Sequence, residues 1–345
     1  MRWCGSVVSA GAWPYWSFRN HVASLEALKE VRDELASLRE ARADVDRQIA
    51  TTLVWREQKP PQPAYMLARG QYDQPGDQVP RTTPAVLPPL AEDAPSNRLG
   101  LAQWLVDPGH PLTSRVAVNR FWQQFFGVGL VKTSEDLGSQ GEPPSHPELI
   151  DYLAASFLDS GWDIKALVKE IVMSKTYRQS SVASPAEFKK DPENRLLARG
   201  SRFRLDAEMI RDQVLSTSGL LVNTLYGKSV KPPQPDGLWK AVTMIGERYR
   251  ADKGDAIYRR SVYTYWKRGM PPPQMTILNA PIRDACVARR ERTNTPSQAL
   301  LLLNESEYIK AARNLARQAL EQKKLSGTRR IELIYETVTS KEPDA

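Results

Sequence analysis

Between Asn97 and Val172 the chain repeats one device four times: an apolar stripe at helical spacing, opened by a capping residue and closed by a glycine or proline. The last of these is the most complete, with Ile164, Leu167, Val168, Ile171 and Val172 at i, i+3, i+4, i+7 and i+8 behind Asp163 as cap. Before it, Ser145 and Glu148 have capping-box spacing with Pro147 in the first turn, and Leu149, Ile150, Leu153, Phe157 and Leu158 form a stripe that ends at Gly161. Val116, Val118, Phe121, Trp122 and Phe125 make a further stripe, with Thr113 or Ser114 as cap and Gly127 as stop. The first, Leu99, Leu101, Ala102, Leu105 and Val106, predicts a buried face that stops at Asp107, Pro108 and Gly109. A stripe on one face of a helix is buried only against another element, so helix packed on helix is the expected architecture.

The flanks differ. Residues 56–96 carry nine of the 26 prolines, which removes backbone donors and predicts an extended strap, with a short strand at Tyr65 to Leu67 and a turn from Tyr72 to Gly76. Ahead of it, residues 24–50 read as one helix: Leu28, Leu35, Arg42 and Ile49 share one heptad position, and Val31, Leu38 and Val45 the other. Beyond a loop near 180–200, Asp206 caps a helix through Met209, Ile210, Val214 and Leu215 to Gly219. Tyr258 to Trp266 reads as a strand with Val262, Thr264 and Trp266 on one face and Tyr263, Tyr265 and Lys267 on the other, ended by Pro271 to Pro273. Thr295 and Pro296 open another helix, Ile309, Ala312, Leu315, Ala316 and Ala319 continue the pattern, and the residues from Thr328 read as a helix cut short. The expected fold is mainly α: a helical domain with a small β element over 97–345, divided at 182/183, behind an N-terminal helical segment (1–55) and the strap (56–96).

Composition excludes several classes of chemistry. Two cysteines, Cys4 and Cys286, and three histidines, His21, His110 and His146, cannot supply a disulfide framework, a four-thiolate zinc site or covalent haem attachment, so neither metal nor cofactor is expected. No apolar run approaches the ~20 residues of a membrane-spanning helix, and the opening residues, with Trp13, Pro14 and Trp16, make a poor signal core. Gly227-Lys228-Ser229 lacks the leading glycine of a phosphate loop, and Ser216 to Gly219 lacks that of a nucleophile elbow.

Two segments remain as candidate sites. The loop Lys132 to Glu148 gathers Asp136, Glu142 and His146, residue types suited to general acid-base work, although His146 beside Pro147 also suits a helix start. Residues 239–292 hold twelve Lys and Arg against five acidic residues, a surplus of seven against a net charge of +8 for the whole chain. There Arg259, Arg260, Lys267 and Arg268 interleave with Tyr263 and Tyr265, a mix that pairs with anions and stacks on rings, and equally a mix that makes a solvated basic face over buried aromatics.

The blocks NRLGLAQWLVDPGHPLTSRVAVNRFWQQFFGVGLVKTSEDLGSQGEPPSHPELIDYLAASF, YRRSVYTYWKRGMPPPQMTILNAP and RTNTPSQALLLLNE resemble the PSD1 family of planctomycete-type bacterial proteins, also called DUF1553. The resemblance implies the C-terminal part of a large extracytoplasmic multidomain protein, without the cytochrome c-like and DUF1549 regions, and supplies no catalytic residue. The family usually has aspartate where this chain has Asn279. The leading expectation is a non-catalytic binding or scaffold module for a polyanionic glycan or for other domains of the full-length protein. An enzyme acting on carbohydrate through Asp136, Glu142 and His146 is the alternative, and a nucleic-acid binder is the second.

Overall fold

The computed structural model describes residues 28–49, 51–235, 237–239 and 248–344. Cys4, His21 and the opening residues that carry Trp13 and Trp16 lie outside them, as do residues 240–247 of the basic segment. The chain divides into two units, Met1–Arg81 and Thr82–Ala345. The described residues form twelve α-helices and one two-stranded sheet, so the fold is mainly α with a small β element.

In the first unit the helix α1 spans Lys29–Gln48, and none of its residues is buried. The sheet is an antiparallel hairpin of β1 (Ala64–Leu67) and β2 (Pro75–Val79), in which Ala64 opposes Val79 and Tyr65 opposes Gln78, with an irregularity between Tyr65 and Leu67. The short strand thus falls where the aromatic and apolar residues placed it. Pro75 opens β2, a position where the missing donor costs least.

The second unit begins with three packed helices, α3 (Thr113–Phe126), α4 (Pro147–Asp159) and α5 (Ile164–Met173), which follow α2 (Arg98–Leu105). Val118, Trp122, Ile150, Leu153, Phe157, Leu167 and Ile171 meet in one apolar core. Asp163 accepts hydrogen bonds from the amides of Lys165 and Ala166, as its cap position requires. Gly161 (φ 69°) makes the turn before it, joined by Trp162 (φ 63°), whose amide bonds the Phe157 carbonyl.

Three local expectations are corrected. The apolar residues of α2 are not its buried face: Leu99 is 60% exposed, and the buried residue is Gly100. The carbonyl of Pro95 sits where a Cβ at Gly100 would be, so α2 meets the strap through its backbone. Neither Thr113 nor Ser114 caps α3. Nδ1 of His110 does so instead, accepting from the amides of Leu112 and Thr113 at 3.2 Å each. No capping box forms at α4, where His146 takes the N-cap place and Ser145 turns its hydroxyl to the His146 ring.

The remaining helices are α6 (Lys175–Arg178), α7 (Pro185–Lys190), α8 (Ala207–Thr217), α9 (Pro273–Ile277), α10 (Pro296–Asn304), α11 (Ser306–Glu321) and α12 (Gly327–Thr339). Helix α8 packs against α9, α11 and α12. The Thr295–Gln298 capping box starts α10 as expected.

Tyr258 to Trp266 is not a strand. It holds the ends of two 3-10 turns, Asp255–Tyr258 and Ser261–Tyr263, and its strand-like backbone pairing with earlier residues is limited to single bridges, Arg259 with Val222 and Thr264 with Val230. The amides of Arg259 and Tyr263 close on carbonyls three residues back, Ala256 and Arg260, which removes them from any ladder. The predicted faces fail with it, for Val262 is 75% exposed and Thr264 is buried.

Candidate functional site

The basic aromatic segment is built outward from one buried charge. Arg211 projects from α8 in phase with Ala207 and Leu215 and is 0% exposed. Its Nε and Nη2 donate to the Glu307 carboxylate at 2.9 and 2.6 Å, a two-pronged ion pair. Nη1 donates to the Arg259 carbonyl at 2.9 Å and to the Ser261 hydroxyl at 3.3 Å, and Nη2 also donates to the Ile257 carbonyl at 2.8 Å. Next to it, Asp212 accepts from the Ser261 amide at 2.7 Å. Residues 257–261 are therefore held at both ends of their short turns by α8.

Arg259 extends this hold to a second loop. Its guanidinium lies 3.7 Å from the Tyr263 ring centre and donates to the carbonyls of Thr224, Tyr226 and Lys228. The Tyr263 hydroxyl accepts from the Tyr226 amide at 2.8 Å. Two of the six residues singled out as ligand-binding, Arg259 and Tyr263, are thus engaged in fastening loop 222–230.

Beyond them cations and rings alternate. Lys231 Nζ stands 4.6 Å from the Tyr265 ring, Tyr265 stacks on Trp239 at 6.5 Å, and Lys267 Nζ stands 4.7 Å from Trp239. Tyr249 closes the group, 5.3 Å from Trp239, and its hydroxyl donates to the Pro232 carbonyl at 2.6 Å. Burial pushes the Tyr249 phenol well above its ordinary range, and the charges of Asp252 and Glu307 push it further, so it stays a donor. Arg260 and Arg268 point outward, 3.7 Å from Asp212 and 3.8 Å from Asp284 respectively. Arg248, Arg250 and Lys253 are exposed and have no ion pair among the described residues.

The acidic loop is not drawn together in this way. Asp136 accepts from the Gly138 amide at 2.7 Å, Glu142 is exposed while its amide donates to Thr133, and His146 contacts Ser145. No hydrogen bond joins the three. Among the described residues no group of three or more His, Cys, Asp or Glu could hold a metal ion.

Arg211, Glu307 and Lys231 carry the arrangement and were not singled out by sequence. For Arg211 the signal was present, a charge placed on the apolar face of its helix.

The remaining shared blocks meet at Asn279, whose backbone is left-handed (φ 66°). Its Oδ1 accepts from Arg204 at 2.7 Å, Thr293 at 2.9 Å and Gln298 at 2.7 Å. This position works as an acceptor knot that ties the 272–280 block to the start of α10. The PSD1 family, described as a protein of unknown function (DUF1553), matches residues 97–345. The chain belongs to that family. The PSD1 match takes in the apolar core, the Arg211 hub and the Asn279 knot. No curated protein and no solved structure matches the chain. Among the described residues of this PSD1 chain, no helix is long and apolar enough to cross a membrane.

Proposed function

We propose that this chain is a non-catalytic binding module of a larger extracytoplasmic protein, and that residues 248–268 present a face to a polyanionic glycan. The observation behind the reading is a division of labour: Arg259 and Tyr263 fasten loop 222–230 and α8 holds residues 257–261, while Arg248, Arg250, Lys253, Arg260 and Arg268 remain exposed on either side of that hold or within it. A fixed backbone lowers the ordering cost of presenting several cations to a charged chain. The separate local partners of Asp136, Glu142 and His146 favour binding over acid-base catalysis. The extracytoplasmic setting rests on the family resemblance alone.

Binding to a heparin-like glycan should weaken steeply with salt, because each neutralised charge releases condensed counterions. Replacing Arg248, Arg250, Arg260 and Arg268 together with Gln should flatten that dependence, with little change in thermal stability because all four are exposed. Equal, weak binding by parent and variant would sink the proposal. Tighter binding of single-stranded DNA than of the glycan at physiological salt would move it to the nucleic-acid reading.

A further inference from the structure

A second site lies away from this face. A cleft of about 680 Å³ opens beside the C-terminal end of α3, within the range that takes a small organic ligand. Six cations line it, Lys132, Arg199, Arg202, Arg289, Arg290 and Arg292, against one carboxylate, Glu193.

Their partners separate them into two sets. Lys132 bonds Glu193 at 2.8 Å, and that contact is the first cause holding the Glu193 carboxyl below its ordinary range. Arg289 bonds Glu135 at 2.9 Å and Arg290 bonds Glu208 at 2.6 Å, while Arg292 donates to the Gly127 carbonyl at 2.7 Å and lies over the Phe203 ring. These side chains are already oriented and compensated. Arg199 and Arg202 are not.

Arg199 is only 8% exposed, yet its hydrogen bonds go to two neutral acceptors, the carbonyls of Asp191 and Pro192, both through Nη2. Glu187, whose proton affinity Arg199 also lowers, is engaged first by the Ser184 amide and hydroxyl. Arg202 is exposed and has no partner among the described residues. A buried guanidinium without a bonded counter-ion is costly, and an anion delivered by a ligand would remove that cost.

The walls supply the rest of the specificity. Phe188 is 56% exposed beneath the Arg199 guanidinium, which stands 4.7 Å from its ring centre, and Val182 is exposed beside it. The backbone packs closely here: the Gly200 amide bonds the Ser180 carbonyl at 2.8 Å, and a Cβ there would meet the Gln179 carbonyl at 2.7 Å.

We propose that this cleft binds an oxyanion carried on an apolar body, with Arg199 and Arg202 donating to the anion and Phe188 and Val182 receiving the apolar part. Guanidinium geometry suits carboxylate and phosphate alike, so the ligand is either an apolar carboxylic acid, such as a peptide's C-terminal residue, or an aryl or alkyl phosphate.

Calorimetric titration with N-acetyl-phenylalanine, its primary amide and phenyl phosphate tests this. At least one oxyanion should bind, about tenfold or more tighter than the amide, a ratio expected when a charge-assisted pair is lost. The tighter of the two oxyanions identifies the source. Arg202→Gln should weaken it about fivefold or more with an unchanged melting temperature, since Arg202 supports nothing in the fold. The Arg260 and Arg268 variants should leave it unaltered, which separates this site from the glycan face. Absence of binding by both oxyanions, equal binding of the amide, or an unaffected Arg202→Gln variant would each overturn the proposal.

Discussion

The two halves of the second unit are held together by different chemistry. Around α3, α4 and α5 the contacts are mainly apolar, with Val118, Ile150, Leu153, Phe157, Leu167 and Ile171 in one cluster, and the buried amide side chains of α3, Asn119 and Gln123, serve the adjacent Val131 and Ser134. Around α8 the largest fully buried side chain is an arginine, and main-chain carbonyls rather than methyl groups converge on it. An apolar core tolerates rearrangement as long as volume is kept, whereas a core knit by directed donors fixes particular loops at particular places. The second kind is where this molecule carries its irregular backbone and its exposed cations.

The strongest test of that contrast is Glu307→Ala. It strands Arg211 without a counter-ion and should cost about 4 kcal/mol, read as a fall in the denaturation midpoint. Adding Arg211→Met should not restore full stability, because the carbonyls of Ile257 and Arg259 would then lose their donor. Full recovery would mean that the hub acts as no more than a buried pair.

In the apolar half, Leu153→Ala should cost about 3 kcal/mol through lost transfer energy and the cavity left behind. A shift of under 1 kcal/mol there, measured by the same unfolding curves, would show that the core collapses around the gap. The smallest effect is expected at Asp163→Ala, about 1 kcal/mol from two unbonded helix amides, with Asp163→Asn restoring most of it. An alanine variant as stable as the parent would mean that water serves the cap equally well.

The same contrast explains what could be read from the sequence. Apolar periodicity with Asp163, Gly161 and Gly127 located α3 to α5 because burial of methyl and ring groups is set by spacing along one helix. It misjudged α2, where the contact is made by a missing side chain at Gly100 and leucines are left outside. It also gave the α3 cap to hydroxyls, since a histidine three residues before the helix is no part of the usual capping set. In Tyr258 to Trp266, composition favoured a strand, but strand formation needs a neighbouring ladder, and the adjacent chain offers single bridges. For the candidate site, counting charges located the basic segment and could not tell that Arg259 turns inward while Arg260 turns outward. That choice depends on carbonyls supplied 31 to 35 residues earlier.

Arg259 grips loop 222–230 by carbonyl oxygens of Thr224, Tyr226 and Lys228, and so it is indifferent to the side chains those residues bear. Apart from Tyr226 and Gly227, whose positive φ narrows the choice, and Val230, which is buried, the loop is free to change its surface chemistry while following the same path. Variation among relatives can therefore accumulate on the loop as long as a single arginine, far from it in sequence, is left alone.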